Sequence, residues 1–221
     1  MVQYRHNLAA AHNNLGLAWR NEGWPKKAAS EFLFARNLFV QLAAEHEDQV
    51  VYLQRLEGVL LNLTMLEHAE EDFTVAATHA AELTRLRREL AARAPNSLPQ
   101  RLALAESLDL ETELLLRAGR LAEAAAAGEA AIAERLPLIA EHQEQLPSVL
   151  QGYALSAEIA RRREQPEEQQ RLLGEAIALL APFSAAAPEA AQPRVMLRDL
   201  SIIRAKVGAG LGRYQDALED W

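Results

Sequence analysis

The sequence predicts an all-α fold, an α-solenoid in which antiparallel helix pairs repeat along the chain. Three observations lead to this prediction. Alanine, leucine, glutamate and arginine, which favour helices, dominate the composition. No stretch of the chain alternates apolar and polar residues in the manner of a strand. Landmark residues recur about every 48 positions, as when Ala28 is followed by Ala76 and Ala124.

This period divides residues 1–221 into about four and a half repeats with nine to ten helices, which we interpret as one repeat domain. The predicted repeats cover residues of about 1–47, 48–95, 96–144, 145–189 and 190–221, and the last is truncated. A turn between the two helices of each repeat is expected near Gly23, Glu71, Gly119, Glu164 and Gly212.

Repeat one illustrates the prediction for each pair. Apolar residues at helical spacing indicate a helix from about Gln3 to Asn21 and a second from about Lys26 to His46. Gly23 suits the end of the first helix because glycine tolerates the left-handed conformation there. Pro25 suits the first turn of the second helix, where its missing N–H is not needed.

Three later features complete the helix assignment. Pro137 should break the second helix of repeat three near Glu134, because proline loses a backbone hydrogen bond and clashes with the preceding turn. Pro182 should end the second helix of repeat four for the same reason. The first helix of repeat five is expected from about Ala191 to Gly208.

Gly16 lies in the middle of a predicted helix, where it costs about 1 kcal/mol relative to alanine. The equivalent positions of the other repeats all carry small residues: Thr64, Thr112, Ala157 and Ala205. We therefore interpret Gly16 as a packing residue that lets the two helices of its repeat approach closely.

Composition and charge exclude several classes of function. The chain has no cysteine, and its net charge of −8 does not suit nucleic acid. The six histidines show no HExxH motif and no close i, i+4 pair, so we expect no metal and no cofactor. GAGLG at 208–212 follows a helix and not a strand, which favours a helix connection over a phosphate loop. Without a signal peptide or an apolar membrane span, a cytoplasmic protein is expected.

Repeat one contains Leu-Gly, an aromatic residue three positions later, and then Ala, Phe and Ala on the second helix. These residues are Leu15, Gly16, Trp19, Ala28, Phe32 and Ala35. In this pattern the sequence resembles the tetratricopeptide-repeat (TPR) family. Glu67, Leu115 and Ala160 replace the aromatic residue in repeats two to four. The period exceeds the family's usual 34 residues, and about 14 extra residues extend helices by roughly 20 Å. We therefore expect long helices and not long loops.

The TPR resemblance implies a right-handed superhelix with a concave groove lined by the first helix of each repeat. The groove positions that it assigns are Asn13, Leu17, Arg20, Asn21, Leu61, Met65, His68, Glu106, Asp109, Glu113, Leu116, Gln151, Glu158, Arg161, Arg162, Asp199 and Lys206. These side chains either contact a ligand or only solvate the groove and bridge adjacent helices. Asn13 and Leu17 stand where family members that clamp a peptide carboxylate have lysine and asparagine, so no such clamp is expected.

Two functions follow from the resemblance. The first is a non-catalytic protein-interaction scaffold with a peptide or a partner helix in its groove. The alternative is a regulatory or self-association segment of a larger signalling enzyme, because the wording HNNLG and GRYQDALEDW is similar to repeats of planctomycete-type bacterial serine/threonine protein kinases. Trp221 falls at the position of Phe32 without a following cap, so we expect a fragment of a larger protein that can self-associate through repeat five.

Overall fold

The structure is a computed structural model that describes residues 1–186, 189 and 191–213 of the chain. Every regular element within those ranges is helical, which confirms the all-α prediction. The α-helices are α1 (Val2–Asn21), α2 (Pro25–Glu45), α3 (Val50–Ala69), α4 (Phe73–Arg93), α5 (Leu98–Arg117), α6 (Leu121–Arg135), α7 (Leu146–Arg162), α8 (Pro166–Ala186) and α9 (Ala191–Gly210). Helices α2, α4 and α8 have 21 residues each, so the extra length of the repeats does lie in helices.

The helices form two compact units, an N-terminal unit of residues 1–119 with α1 to α5 and a C-terminal unit from residue 120 with α6 to α9. Consecutive helices pack against each other within each unit. In the first pair, Arg5 forms an ion pair with Glu45, while Gly16 lies against Phe32. Since residues early in α1 meet residues late in α2, the two helices are antiparallel.

Each unit has its own apolar core. In the N-terminal unit the core runs through α1, α2, α3 and α4, and its fully buried side chains include Phe32, Phe39, Leu60 and Leu83. In the C-terminal unit the core lies among α6, α7, α8 and α9. Burial of such side chains contributes about 1.5–3 kcal/mol each, which holds the helices together despite their unequal sequences.

The five predicted turn positions share one backbone conformation. Positive φ angles of 76°, 61°, 75°, 57° and 75° occur at Gly23, Glu71, Gly119, Glu164 and Gly212. These are the positions at which the repeat period placed the turns, with steps of 48 residues and one step of 45 from Gly119 to Glu164. The predicted turn positions are therefore confirmed by the backbone.

Hydrogen bonds show why the left-handed residue is needed. After α1, the Gly23 N–H donates to the Arg20 carbonyl at 3.1 Å, and the Trp24 N–H donates to the Trp19 carbonyl at 2.9 Å. This pair of bonds is a Schellman motif, which satisfies carbonyls left open at a helix C-terminus. The same two bonds recur around Glu71, Glu164 and Gly212, whether or not the residue is glycine.

Gly16 is buried, and its neighbour explains the small residue. A Cβ atom added to Gly16 would lie 2.6 Å from both the Cδ1 and Cε1 atoms of Phe32, which is too close for any side chain. The prediction of a packing residue is therefore confirmed. The contact is more specific than expected, because the missing side chain makes room for an aromatic ring and not only for a backbone.

The prediction for Pro137 is confirmed. Helix α6 ends at Arg135, and the chain continues as a 3-10 helix over Leu136–Leu138. This change of conformation follows from the hydrogen bond that proline cannot donate. It also brings Leu138 and Ile139 into buried positions.

The prediction for Pro182 is wrong. Helix α8 continues through Pro182 to Ala186. The proline lies one turn before the helix end, where few further bonds depend on the one it removes. Beyond it, Phe183 packs against the core and Ser184 is buried. We attribute the continuation of the helix to this burial.

In repeat five, α9 begins at Ala191 as predicted and extends slightly beyond Gly208. Of the apolar residues of α9, Leu200 is buried, whereas Ile203 remains 44% exposed. The expectation for Trp221 falls outside the described residues.

Candidate functional site

The first helices of repeats one, two and three lie in the N-terminal unit as α1, α3 and α5. The Asn62 side-chain amide donates to the Asn13 side-chain oxygen at 3.0 Å, which joins α1 to α3 directly. Arg87 of α4 donates to the Glu57 carboxylate of α3 at 2.8 Å and to the Ala103 carbonyl of α5 at 2.8 Å. These bonds tie the three first helices into one surface.

We call this surface the first-helix face and define it by the groove residues that the sequence assigns to α1, α3 and α5. These are Asn13, Leu17, Arg20, Asn21, Leu61, Met65, His68, Glu106, Asp109 and Glu113. Four of them are exposed: Arg20, Asn21, Met65 and Glu106. The other six are half-buried, and Leu17 and Leu61 pack against the core. Leu116 is only 8% exposed and is too buried to contact a ligand.

A cluster around Phe73 lies at the C-terminal ends of α3 and α5. The His68 ring centroid is 5.9 Å from that of Phe73, and the Arg117 guanidinium lies 5.2 Å from the same ring. Arg117 also pairs with Glu113 at 2.9 Å. The structure therefore brings His68 and Glu113 of the predicted set together through two residues that the sequence analysis missed. The signal that could have identified this cluster is the position of Phe73, which is the first residue of α4 and follows the turn at Glu71.

Near the end of α1, an ammonium group lies between two indole rings. Lys27 Nζ is 4.3 Å from the Trp19 ring centroid and 4.4 Å from that of Trp24. Such cation–π contacts contribute about 0.5–1 kcal/mol each at exposed sites. Lys27 therefore contacts two aromatic rings of its own repeat. Arg20, which follows Trp19 in α1, makes no ion pair with another described residue.

In the C-terminal unit three of the predicted groove charges, those of Glu158, Arg161 and Arg162, pair with one another. Glu158 accepts hydrogen bonds from Arg161 at 2.7 Å and from Arg162 at 2.8 Å. These two guanidinium groups lower the pKa of Glu158 to about 2. Asp199 pairs in the same way with Arg198 at 2.8 Å. Gln151 and Lys206 are exposed.

Two features of the described residues bear on other kinds of site. No group of three or more histidine and acidic side chains is arranged to hold a metal ion in the part of the chain that the structure describes. Across residues 1–186, 189 and 191–213, none of the helices combines the length and the apolar character needed to cross a membrane.

Comparisons with known proteins identify the fold. No family model matches the sequence, and no curated protein matches it. Among solved structures, the chain is similar to the nearly identical TPR-like repeats of a Podosopora anserina protein assigned as a kinesin light chain. The TM-score is 0.57 at 16% identity, over 98% of this chain and 92% of the other. Aspartyl phosphate phosphatase F from Bacillus subtilis is similar with a TM-score of 0.50 at 13% identity, over 98% and 58%. The fold is therefore that of a TPR-like helical repeat.

Proposed function

We propose that the chain is a non-catalytic protein-interaction scaffold whose N-terminal unit binds an extended peptide or a partner helix on the first-helix face. The exposure of Met65 is the observation that carries this proposal. Met65 is 44% exposed near the C-terminal end of α3, one helical turn after the half-buried Leu61. A flexible methionine can adapt to a bound apolar side chain. This combination suits the contact point of a peptide.

The charges at the two edges of the first-helix face differ in sign. Arg20 is exposed on α1 without an ion pair to another described residue, and Glu106 is exposed on α5. A ligand that crosses the face would therefore carry an acidic residue towards α1, an apolar residue over Met65 and a basic residue towards α5. Complementary charges of this kind favour one orientation and speed association.

Selection from a random-peptide display library on the immobilised chain tests the proposal. We expect enriched peptides to share the order acidic, apolar, basic, and to bind the purified chain with saturation. Met65→Asp should weaken binding at least tenfold, since it places a charge under the apolar residue. Leu33→Asp is the matched control, because Leu33 is 39% exposed on α2 and lies outside the first-helix face.

Three results would contradict the proposal. The first is a selection that enriches no peptide. The second is an enriched peptide that binds Met65→Asp and Arg20→Glu as tightly as it binds the original chain. The third concerns the expected absence of bound metal and of catalysis, which stoichiometric zinc in the purified chain or substrate turnover by it, respectively, would refute.

Exposed apolar residues of α9 favour a second candidate function, self-association as part of a regulatory segment. Val195, Met196 and Ile203 are 45%, 36% and 44% exposed. Apolar side chains grouped on one helix mark contact surfaces between proteins. Light scattering tests this function. Self-association predicts a concentration-dependent dimer that Val195→Asp dissociates, and a strict monomer at all concentrations would exclude it.

A further inference from the structure

Helix α1 carries an apolar stripe on the side away from the first-helix face. We call it the outer face and define it by Tyr4, Leu8, Ala11, Leu15 and Ala18. Alternating spacings of four and three residues place all five on one side of the helix. None of them belongs to the first-helix face, so the inference below does not depend on the proposed function.

The same stripe occurs in α3 one period later. A shift of about 48 residues takes the outer face to Tyr52, Leu56, Val59, Leu63 and Leu66. Tyrosine and leucine are retained at three of the five positions, and the other two change from alanine to a larger apolar residue. The outer face of α1 is therefore a copy of a specific surface of α3.

The two copies differ in their environment. Tyr4 is 69% exposed and Leu15 is 42% exposed, whereas their equivalents Tyr52 and Leu63 are 6% and 0% exposed. Ala11 and Ala18 are also exposed. A stripe that the protein buries in one repeat is thus presented to solvent in another. Grouped apolar side chains of this kind are typical of surfaces that contact another protein.

Helix α2 supplies part of the cover of the stripe in α3. Helix α2 packs directly against α3, and Phe39 and Leu42 of α2 share one core cluster with Tyr52 and Leu56. The ring of His46, directly after α2, lies 5.8 Å from the Tyr52 ring. An amphipathic helix with the side chains of α2 therefore fits this surface.

Phe34 extends the outer face and indicates a charged contact. Its ring lies 4.1 Å from that of His12, beside α1, and it is 46% exposed. The equivalent residue of α4 is Glu82, which accepts a hydrogen bond from Arg36 of α2 at 2.7 Å. A helix of the α2 kind on the outer face would bring its own arginine over Phe34, where a cation–π contact replaces the ion pair.

We propose that the outer face of α1 binds an amphipathic helix of the α2 kind, supplied by a partner protein. The contact repeats the α2–α3 interface of this chain. The partner's helix runs antiparallel to α1, as α2 does to α3, presents a phenylalanine and leucine stripe to Tyr4, Leu8 and Leu15, and places an arginine beside Phe34.

A synthetic peptide of residues 25–46, the α2 sequence with its following histidine, is the probe. Titrated into the full chain by isothermal calorimetry, it should bind with a stoichiometry of one and gain helical circular dichroism. Leu15→Asp should weaken its binding at least tenfold. Because Leu15 is exposed, this variant is expected to fold, and an unchanged circular dichroism spectrum verifies that it does.

Two matched controls sharpen the result. Met65→Asp, which alters the first-helix face and leaves the outer face intact, should bind the peptide as tightly as the original chain does. A peptide with Phe39→Glu and Leu42→Glu should not bind. A failure of Met65→Asp to bind library peptides while it still binds the α2 peptide would show that the two faces act separately.

Three results would overturn the proposal. One is no binding of the α2 peptide at millimolar concentration. Another is binding that Leu15→Asp leaves unchanged. The last is a dimer of the chain in light scattering that Leu15→Asp dissociates, since the outer face would then be covered by a second copy and not by a helix of the α2 kind.

Discussion

Repeats one and two of the N-terminal unit contain the same helix pair, yet they fill the contact between its helices differently. In repeat one Gly16 lies under the ring of Phe32, whereas the equivalent positions of repeat two hold Thr64 and Ala80, both fully buried. The larger residue is on the second helix in one repeat and on the first helix in the other. The buried Thr64 hydroxyl is satisfied, because it donates to the Leu60 carbonyl at 2.9 Å.

The turns of the two repeats also keep one backbone conformation with different residue types. Gly23 and Glu71 have φ angles of 76° and 61° and close the same Schellman motif, although only glycine adopts this conformation without strain. Position within the period therefore determines the backbone, and the side chains adjust to it. This explains how repeats with little sequence in common retain one fold.

Gly16→Leu should have the largest effect on stability among the changes that test this difference between the repeats without removing the Phe32 ring. A Cβ atom alone would lie 2.6 Å from the Phe32 ring, so leucine overpacks the pair, and we expect a loss of about 1–3 kcal/mol in the free energy of unfolding. Gly58→Leu on α3 is the control, because an added Cβ meets no atom of the described residues within 4 Å apart from its chain neighbours and its own helix backbone, and helix propensity should improve. Urea denaturation of both variants measures the difference. Equal midpoints would contradict the close-packing account.

Glu71→Gly should make repeat two resemble repeat one at the turn. A residue with a Cβ costs about 1–2 kcal/mol in the left-handed conformation, and glycine removes this cost. Part of the resulting stabilisation is offset by the greater freedom of glycine in the unfolded chain. We expect a net stabilisation of about 0.5–1 kcal/mol, seen as a higher melting temperature. Glu71→Ala removes the same charge without relieving the backbone, so a rise of equal size in that variant would refute the explanation.

Much of the fold could be predicted from the sequence, because a residue whose role is clear in one repeat identifies the equivalent position in the other repeats. Gly23, which suits a left-handed turn for a simple steric reason, identified the equivalent turn at Glu71, where the residue type gives no such signal. The prediction for Pro182 is wrong because local propensity does not include the burial of Phe183 and Ser184, which follow the proline. The Phe73 cluster was missed because it joins three helices whose contacts no single repeat shows. The resemblance to protein-kinase repeats stays a prediction.

The smallest expected effect concerns Glu67, which stands where repeat one has Trp19. Partial burial raises the pKa of Glu67, and the nearby charges of Asp72 and Glu70 add to the rise. The folded chain then holds its proton at a pH where the unfolded chain has lost it, so stability falls as the pH rises through that range. Glu67→Gln should remove this loss and stabilise the chain at pH 7 by less than about 1 kcal/mol, since solvent screens the half-exposed site.

Urea midpoints of Glu67→Gln and the original chain at pH 7 and pH 4 measure this effect. The advantage of the variant should shrink at pH 4, where the glutamate is largely protonated in both states. Glu47→Gln, at an exposed position between α2 and α3, serves as the control for a general change in net charge. An advantage that is the same at both pH values would rule out a titration effect.

The central claim is that a larger residue on one helix requires a smaller residue at the facing position of the other helix. A double-mutant cycle that gives these two positions of repeat one the residues of repeat two tests this claim most directly. Phe32→Ala alone should cost about 3–5 kcal/mol, and Gly16→Thr alone should also destabilise the chain. Once the ring is removed, threonine has room, so the double variant should lose at least about 1 kcal/mol less than the sum of the single losses. Losses that add within about 0.5 kcal/mol would show that the two positions are independent and would contradict the account.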